Sequence, residues 1–261
     1  MHFIDRGQGS PVLLIPGVQG RWEWMADAID ALARHHRVLS YSLADEPTSG
    51  FPCLDTDGFD NYLHQARAVL NAAGLERVAV VGVSYGGLIA SELAAREPQR
   101  VTHLVITSSP PPDWVPPPQV QRALRAPYLT GAVFMMAAPL RLLPELRSAL
   151  PSTTALLTFI ASHLIRIVRA PMSPTRAARR MRWMRAHRFA DQRTITAPTL
   201  IVTGEPGTDR VVPVEDTRRM ASRIPGARCE VLPHTGHVGL ETRPAAYAEL
   251  IHRFLSATPA A

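Results

Sequence analysis

The chain has 261 residues, 46% of them apolar and 19% charged, which is ordinary for a globular protein and enough for one α/β domain with an insertion. Its two cysteines, Cys53 and Cys229, lie far apart without metal-ligand spacing, which excludes a disulfide scaffold and predicts reduced thiols and no bound metal. The net charge of +6 is divided unevenly: residues 119–193 hold thirteen Arg and two acidic residues, a net +11, so the rest of the chain carries −5.

Apolar, β-branched runs alternate with segments of helical spacing along the first hundred residues. Each apolar run is short and bounded by turn residues, as are the buried strands of a parallel sheet. The predicted strands cover residues 12–15, 38–41, 78–81 and 101–107, and the predicted helices cover 22–35, 57–73 and the stretch after Ser84. This alternation predicts an α/β fold, with a mostly parallel, doubly wound sheet between helices.

The alternation stops at residues 110–118, where a proline-rich stretch predicts a stiff, extended connection. Beyond it, up to about residue 193, helical stretches are separated by prolines and show no strand pattern. The alternation resumes with predicted strands at 199–202 and 229–232 and predicted helices at 214–223 and 242–255. We therefore predict a core formed by residues 1–112 and 194–261, interrupted by a helical insertion at 113–193.

Residues 82–87 read GVSYGG directly after the apolar run at 78–81, which places a G-x-S-x-G motif between a predicted strand and a predicted helix. The two glycines allow the sharp turn that projects the Ser84 oxygen beyond the sheet. A Gly-rich turn that only packs a helix on a sheet is the alternative. The strand before the serine and the helix after it are the context that a nucleophilic serine requires.

An activated serine needs a base within hydrogen-bond reach and a third group that orients the base. Two later loops supply such groups, since residues 204–213 include Asp209 and residues 233–241 include His237. Ser84, Asp209 and His237 each follow a different predicted strand. The carboxyl ends of parallel strands meet at one edge of a sheet, so we expect the three residues to converge there.

This order of motifs resembles the α/β-hydrolase fold family, the serine-hydrolase superfamily of esterases, lipases and their relatives. The resemblance covers both core segments, and the insertion at 113–193 matches the position of that family's helical cap. It implies that Ser84 is the nucleophile, that His237 is the general base and later the general acid, and that Asp209 orients His237.

The acid and the base each have competitors in the sequence. The loop that carries Asp209 is longer than is common in the family, so Glu205 in the same loop remains an alternative acid. Asp113 is a second alternative, because some relatives place the acid after the strand predicted at 101–107. His234, which precedes the His237 position in its loop, is the alternative base.

The resemblance also implies an oxyanion hole made by the backbone N–H groups of Tyr85 and Val18. The loop that carries Val18 reads PGVQG, with Pro16 where His is common in the family. We predict that Trp22, Val238 and Leu240 line the substrate pocket, with core packing as the alternative for Trp22.

The function implied is cofactor-independent hydrolysis of a small-molecule carboxylic ester through an acyl-enzyme, with a hydrophobic acyl or alcohol group. Sister reactions of the fold remain alternatives: thioester, lactone, C–C bond or peptide hydrolysis and perhydrolysis. A slow-turnover ligand-binding receptor is an alternative of another class. Serine at position 84 argues against haloalkane dehalogenases and epoxide hydrolases, whose family members use a carboxylate there.

The basic charge of the insertion suggests which partners the protein could bind. Residues 176–185 read as a basic helix, whose arginines form either a solvated face or a surface for weak association with an anionic membrane. Nucleic-acid motifs do not accompany these charges, so we do not expect a nucleic-acid partner. The first residues lack the apolar core of a signal peptide, and no apolar run is long enough to span a bilayer, so we expect a cytoplasmic protein.

Overall fold

A mostly parallel sheet organises the chain, whose computed structural model describes residues 1–127 and 138–257 apart from the side chains of 138–140. The sheet order is β1-β3-β2-β4-β5-β6-β7, and every neighbouring pair is parallel except β1 with β3. The strands are β1 Phe3–Arg6, β2 Pro11–Ile15, β3 Arg37–Tyr41, β4 Val78–Val83, β5 Val101–Thr107, β6 Thr199–Thr203 and β7 Arg228–Val231. The predicted sheet is therefore confirmed, and β1 is an antiparallel edge strand in addition to the predicted ones.

Helices cover both faces of the sheet and fill the insertion. They are α1 Ala26–Leu32, α2 Asp60–Ala72, α3 Tyr85–Arg96, α4 Pro118–Arg125, α5 Ala138–Ala149, α6 Thr153–Arg169, α7 Pro174–Ala186, α8 Val214–Ala221, α9 Gly239–Thr242 and α10 Pro244–Ala257. One apolar cluster joins the sheet to α2, α3 and α8, and a second joins it to α1 and α10. The doubly wound α/β fold predicted from the sequence is therefore confirmed.

Strand register brings two loops of the predicted site together. Ile15 at the end of β2 lies beside Gly82 of β4, and Val83 lies beside Thr107 of β5. The loops after β2 and β4 therefore leave the sheet side by side at its carboxyl edge. All six residues of β4 are buried, so the segment that leads into Ser84 is anchored in the core.

Between β5 and β6, every regular element in the described part of the chain is a helix, from α4 to α7. Ser152 and Ser173 cap α6 and α7, because their side chains accept hydrogen bonds from Ala155 N and Arg176 N. We call residues 113–193 the inserted segment; its division from the core at these bounds stays a prediction.

The described helices are too short or too polar to span a bilayer singly. In residues 1–127 and 138–257, no single helix is long and apolar enough to cross a membrane. Helices α6 and α7 have sufficient length and apolar content only as a pair, and the chain bends by 83° between them.

Candidate active site

Ser84 lies on a strained turn between β4 and α3. Its φ of 52° and ψ of −118° are rare for a residue with a side chain, and strain of this kind is concentrated at functional sites. Ser84 N donates to Thr107 O at 2.8 Å, and Ser84 O accepts from Gly87 N at 2.9 Å. The serine is thus held between the end of β5 and the first turn of α3, with 8% of its surface exposed.

Glycine is required beside the serine because α3 approaches β2 closely. A Cβ added to Gly86 would overlap the carbonyl oxygen of Ile15 and lie 2.6 Å from that of Pro16. Since both contacts are with backbone, the helix would have to move away from the strand to accept a side chain. The glycine of the G-x-S-x-G motif therefore sets the distance between the serine turn and the loop after β2.

Asp209 and His237 form a hydrogen-bonded pair. His237 Nδ1 lies 3.1 Å from Asp209 Oδ2, and the Asp209 side chain is 1% exposed. The other carboxylate oxygen accepts from Val211 N at 3.0 Å and Val212 N at 2.9 Å, which fixes the carboxylate in the loop after β6.

The charges of this pair support each other. Burial raises the pKa of Asp209, but His237 and the two N–H donors outweigh burial and leave that pKa below its ordinary value. Burial lowers the pKa of His237, while Asp209 and then Glu145 and Glu241 raise it, for a net increase. The pair can therefore hold His237 in a fixed orientation and stabilise its protonated form.

The alternative acids and the alternative base lie elsewhere. Glu205 Oε1 accepts from the backbone N–H of His234 at 3.0 Å. Asp113 is half exposed and pairs with Arg223 at 2.7 Å. His234 is an exposed residue with a left-handed backbone, φ 62°. Among these candidates, the structure brings only Asp209 to His237.

Ser84 and His237 belong to the same edge of the sheet. Each follows the carboxyl end of a parallel strand, and α9, directly after His237, contacts the short helix Trp22–Met25 that follows the loop after β2. The hydrogen bonds of the described residues do not include one between Ser84 Oγ and His237. Bonds between nucleophile and base are frequently long in enzymes without substrate, so this geometry is compatible with a triad.

The predicted oxyanion donors flank Ser84. Tyr85 is the first residue of α3, where helix N–H groups have no partner within the helix. The loop with Val18 lies against the serine, since a Cβ added to Gly17 would be 3.4 Å from Ser84 Cβ. Both loops thus present backbone close to the nucleophile, although their role as an oxyanion hole stays a prediction.

The predicted pocket residues occupy different environments. Leu240 is 3% exposed and belongs to the apolar cluster with α1 and α10. Trp22 packs on the same cluster, with the Arg6 guanidinium 5.4 Å from its ring centre. Val238 is half buried next to His237. Their contact with substrate stays a prediction.

Glu145 is a member of the site that the sequence did not indicate. This residue of α5 is fully buried, and its Oε1 accepts from Val238 N at 2.9 Å. Burial raises the pKa of Glu145 to about 7, although N–H groups of Gly236 and Val238 and the charge of His237 oppose the increase. A carboxyl group from the inserted segment therefore packs against the loop of the predicted base.

Arg180 of α7 is a second unexpected member. Its side chain is fully buried, and it pairs with Asp45 at 2.7 Å and Glu46 at 2.6 Å. Its neighbours Arg176 and Arg179 pair with the same two carboxylates. The helix predicted at 176–185 therefore turns three arginines toward the core. These contacts depend on acids 130 or more positions away, so they carry no local sequence signal.

Similarity to known proteins shows which family the chain belongs to. The Alpha/beta hydrolase family matches residues 12–250, and the chain therefore belongs to that family. Together with the fold and the Asp209–His237 pair, this membership makes the protein a hydrolase.

The names of similar proteins refer to different substrates. The chain is 29% identical over 264 residues to a putative carbamate hydrolase, RutD, of Caulobacter sp. (strain K31), covering 98% of this chain and 95% of that protein. It is 28% identical over 265 residues to a 2-hydroxy-6-oxo-2,4-heptadienoate hydrolase of Pseudomonas putida, covering 98% and 92%. The enol-lactonase of Burkholderia xenovorans LB400 shares the fold, with a TM-score of 0.75, 21% identity and coverage of 98% and 96%.

Proposed function

We propose that the protein is a cytoplasmic, cofactor-independent serine hydrolase that cleaves carboxylic esters through an acyl-enzyme. The observation that carries the proposal is the buried Asp209–His237 pair at the sheet edge where the strained turn presents Ser84. A fixed carboxylate–imidazole pair is what a serine needs to become a nucleophile at neutral pH. The two unpaired cysteines agree with a reducing compartment.

Each residue has a defined step in the proposed reaction. Ser84 Oγ attacks the ester carbonyl carbon while its proton moves to His237 Nε2, and Asp209 stabilises the resulting imidazolium. The N–H groups of Val18 and Tyr85 donate to the oxyanion of the tetrahedral intermediate. His237 then protonates the leaving alcohol, and a water molecule activated by the same imidazole releases the acid from Ser84.

A hydrophobic group on the ester is the second part of the proposal. Val238, half buried beside His237, provides an apolar surface at the reacting centre. Apolar walls with few polar groups are typical of pockets for small molecules. We expect the activity to rise with acyl chain length until the pocket is filled.

Hydrolysis of another carbonyl compound is the second candidate. The relatives named for a carbamate and for an oxo acid match nearly the whole chain, and neither name describes a plain ester. Ser84 can attack a carbamate or ketone carbonyl with the help of the same base and the same oxyanion donors, since these substrates differ from an ester in the leaving group. A slow-turnover receptor would use the same residues but would retain the acyl group on Ser84.

The test is hydrolysis of p-nitrophenyl esters of increasing acyl length by the wild type and Ser84→Ala. We expect steady turnover by the wild type and a loss of at least about 10³-fold in the variant, because the nucleophile is removed. Ser91→Ala is the matched control, since Ser91 is a buried serine of α3 that donates to Leu88 O rather than facing the site.

Each result separates the candidates. Equal rates for the wild type and Ser84→Ala would contradict the assignment of the nucleophile. A single turnover that leaves acyl-Ser84, detected by mass spectrometry, would favour the receptor. A wild type that is inert toward esters but hydrolyses an aryl carbamate, with loss in Ser84→Ala, would favour the second candidate.

A further inference from the structure

The loop that carries Val18 is held by a buried arginine of the inserted segment. Arg180 Nη1 donates to Val18 O at 2.7 Å, while Nε and Nη2 donate to Asp45 Oδ1 at 3.0 and 2.7 Å. Nη2 also donates to Glu46 Oε1 at 2.6 Å. The planar guanidinium is thus fixed from two sides, and its remaining edge is directed at the loop backbone.

The loop is shaped to receive this guanidinium. Gly20 has a φ of +77°, and a Cβ added there would overlap the Arg180 guanidinium. The carbonyl of Gly20 accepts from Leu43 N at 2.8 Å, which ties the loop to the segment that carries Asp45. Glycine is therefore required at position 20 both for the turn and for the approach of the arginine.

Two hydrogen bonds determine where the Val18 N–H points. The carbonyl of Gly17 accepts from Gly20 N at 2.9 Å, inside the turn. In a trans peptide the N–H and C=O point in opposite directions, so the Val18 N–H, which shares the peptide of the Gly17 carbonyl, faces away from the turn. The next peptide is held through its carbonyl, Val18 O, by Arg180, which prevents the turn from rotating as a unit.

Arg180 also contacts the side chain of Tyr85, whose backbone N–H is the other predicted donor. The Tyr85 hydroxyl donates to the backbone carbonyl of Arg180 at 3.0 Å, and both groups are buried. The side chain of Arg180 thus fixes the Val18 loop, and its backbone fixes the residue directly after Ser84. The anchor of the Val18 loop therefore comes from a helix of the inserted segment, 162 positions further along the chain.

We propose that Arg180 is a positioning residue that holds the Val18 and Tyr85 N–H groups in the geometry that stabilises the oxyanion. This inference rests on the proposed function, because an oxyanion forms only if Ser84 attacks a carbonyl or an equivalent centre. It makes the inserted segment a structural part of the catalytic site.

The test compares Arg180→Met with Arg176→Met. Arg176 lies one turn earlier on α7 and pairs with the same Glu46, at 3.0 Å, while the hydrogen bonds among the described residues do not link it to the Val18 loop. Because Arg180→Met leaves Asp45 buried without its main partner, the double variant Arg180→Met/Asp45→Asn is measured beside it to preserve folding. Circular dichroism and thermal melting establish which variants are folded.

The first readout is the division of the effect between kcat and KM in ester hydrolysis. We expect the folded Arg180 variant, single or double, to lose about 10- to 100-fold in kcat with KM changed by less than about threefold, because a misplaced donor acts on the transition state. Arg176→Met should keep kcat within about threefold of the wild type, since its effect is confined to the exterior of the ion-pair cluster.

The second readout is the rate at which a fluorophosphonate labels Ser84, which also develops negative charge on an oxygen but needs no ester specificity. We expect this rate to fall in parallel with kcat in the Arg180 variants. Wild-type kcat and labelling rate in the folded double variant would overturn the inference, as would a loss confined to KM or an equal loss in Arg176→Met. A wild type that neither hydrolyses esters nor reacts with the fluorophosphonate would instead refute the proposed function.

Discussion

A buried carboxyl group beside the predicted catalytic histidine makes the stability of the protein depend on pH. Glu145 contacts Val238 N through Oε1, while its Oε2 has no hydrogen-bond partner in the described part of the chain. A carboxylate in this position is desolvated and lies near Asp209, so the neutral acid is favoured. Its pKa is therefore raised from an ordinary 4.5 to about 7.

The raised pKa of Glu145 makes the folded state less stable as pH rises. Between pH 4.5 and 7 the folded protein keeps a proton on Glu145 that the unfolded chain has released, so this group's contribution to the unfolding free energy falls as pH rises through that window. At 1.36 kcal/mol per pH unit, the fall is about 3 kcal/mol. The contribution of Asp209 has the opposite sign, because its pKa is lowered, and a comparison of variants cancels it.

We predict that Glu145→Gln removes this fall, because glutamine is neutral at every pH. The unfolding free energy of the variant, relative to the wild type, should rise by about 3 kcal/mol between pH 4.5 and pH 8. Urea unfolding at several pH values measures it, with Glu76→Gln, an exposed glutamate, as the control. A difference between variant and wild type that stays constant with pH would show that Glu145 does not titrate in this window.

Local sequence identified some of these residues and not others. Ser84, Asp209 and His237 each follow a strand visible as an apolar run, so topology alone brings them to one edge. Glu145 and Arg180 reach the site through helices of the inserted segment, whose packing depends on contacts far apart in sequence. Their positions could not be predicted from spacing, because a helix can place any of its faces toward the core.

At the scale of elements, the contact of α3 with β2 sets the position of the nucleophile. Gly86 has no side chain, so the first turn of α3 approaches the carbonyl groups at the end of β2. The Val18 loop begins at this same point, and the strand end is buried on both sides. Separation of the helix from the strand would therefore move Ser84 and the predicted oxyanion donors relative to each other.

We predict that Gly86→Ala destabilises the protein by at least about 2 kcal/mol and lowers kcat, because an added methyl group would force backbone apart in a packed region. Gly74→Ala is the control: its methyl group meets no atom within 4 Å, and its cost comes from a φ of +68° alone. Thermal melting and ester hydrolysis measure both variants. A loss in Gly86→Ala no larger than in Gly74→Ala would mean that the contact is not tight.

A strand was predictable where the sequence carries an apolar run. Five of the six predicted strands, β2 to β6, lie between two other strands of the sheet. The sixth, β7, is an edge strand with four exposed residues, and the stretch at 229–232 still predicts it. By contrast, β1 is a four-residue edge strand with two charged residues and no apolar run. Its pairing with β3 is antiparallel and local to the edge, so neither length nor periodicity indicated it. For α7, the apolar positions Met181 and Met184 are buried, and three arginines that precede them pair with acids that the sequence places far away.

At the scale of the whole molecule, one helix presents an apolar face to solvent. In α6, Leu157, Leu164, Ile165 and Val168 are each more than half exposed, and their spacing places them along one side of the helix. On the opposite side, Arg166 pairs with Asp27 at 2.7 Å and with Glu241 at 3.2 Å, which joins the helix to the core. An outward apolar face on a packed helix indicates a surface that becomes covered.

Charge identifies the kind of surface that fits. Helix α6 contains no acidic residue and ends at the exposed Arg169, within residues 119–193, whose net charge is +11. A neutral apolar partner would not use this charge, whereas an anionic lipid surface uses both properties. We propose that α6, rather than the arginines of α7 that pair with the core, makes weak contact with an anionic membrane surface.

We predict that the protein sediments with vesicles of phosphatidylcholine and phosphatidylglycerol, and that it does so less as salt rises and little with phosphatidylcholine alone. Leu164→Gln/Val168→Gln should lower this binding at least tenfold, because it removes apolar area from the lipid contact. Leu54→Gln/Val115→Gln changes two exposed apolar residues outside α6 and should bind as the wild type does.

Absence of binding, or equal binding to both kinds of vesicle, would contradict the proposal. A dimer in light scattering that the α6 variant alone disrupts would identify a second copy of the chain as the partner instead, since the same apolar face would then be buried between protomers.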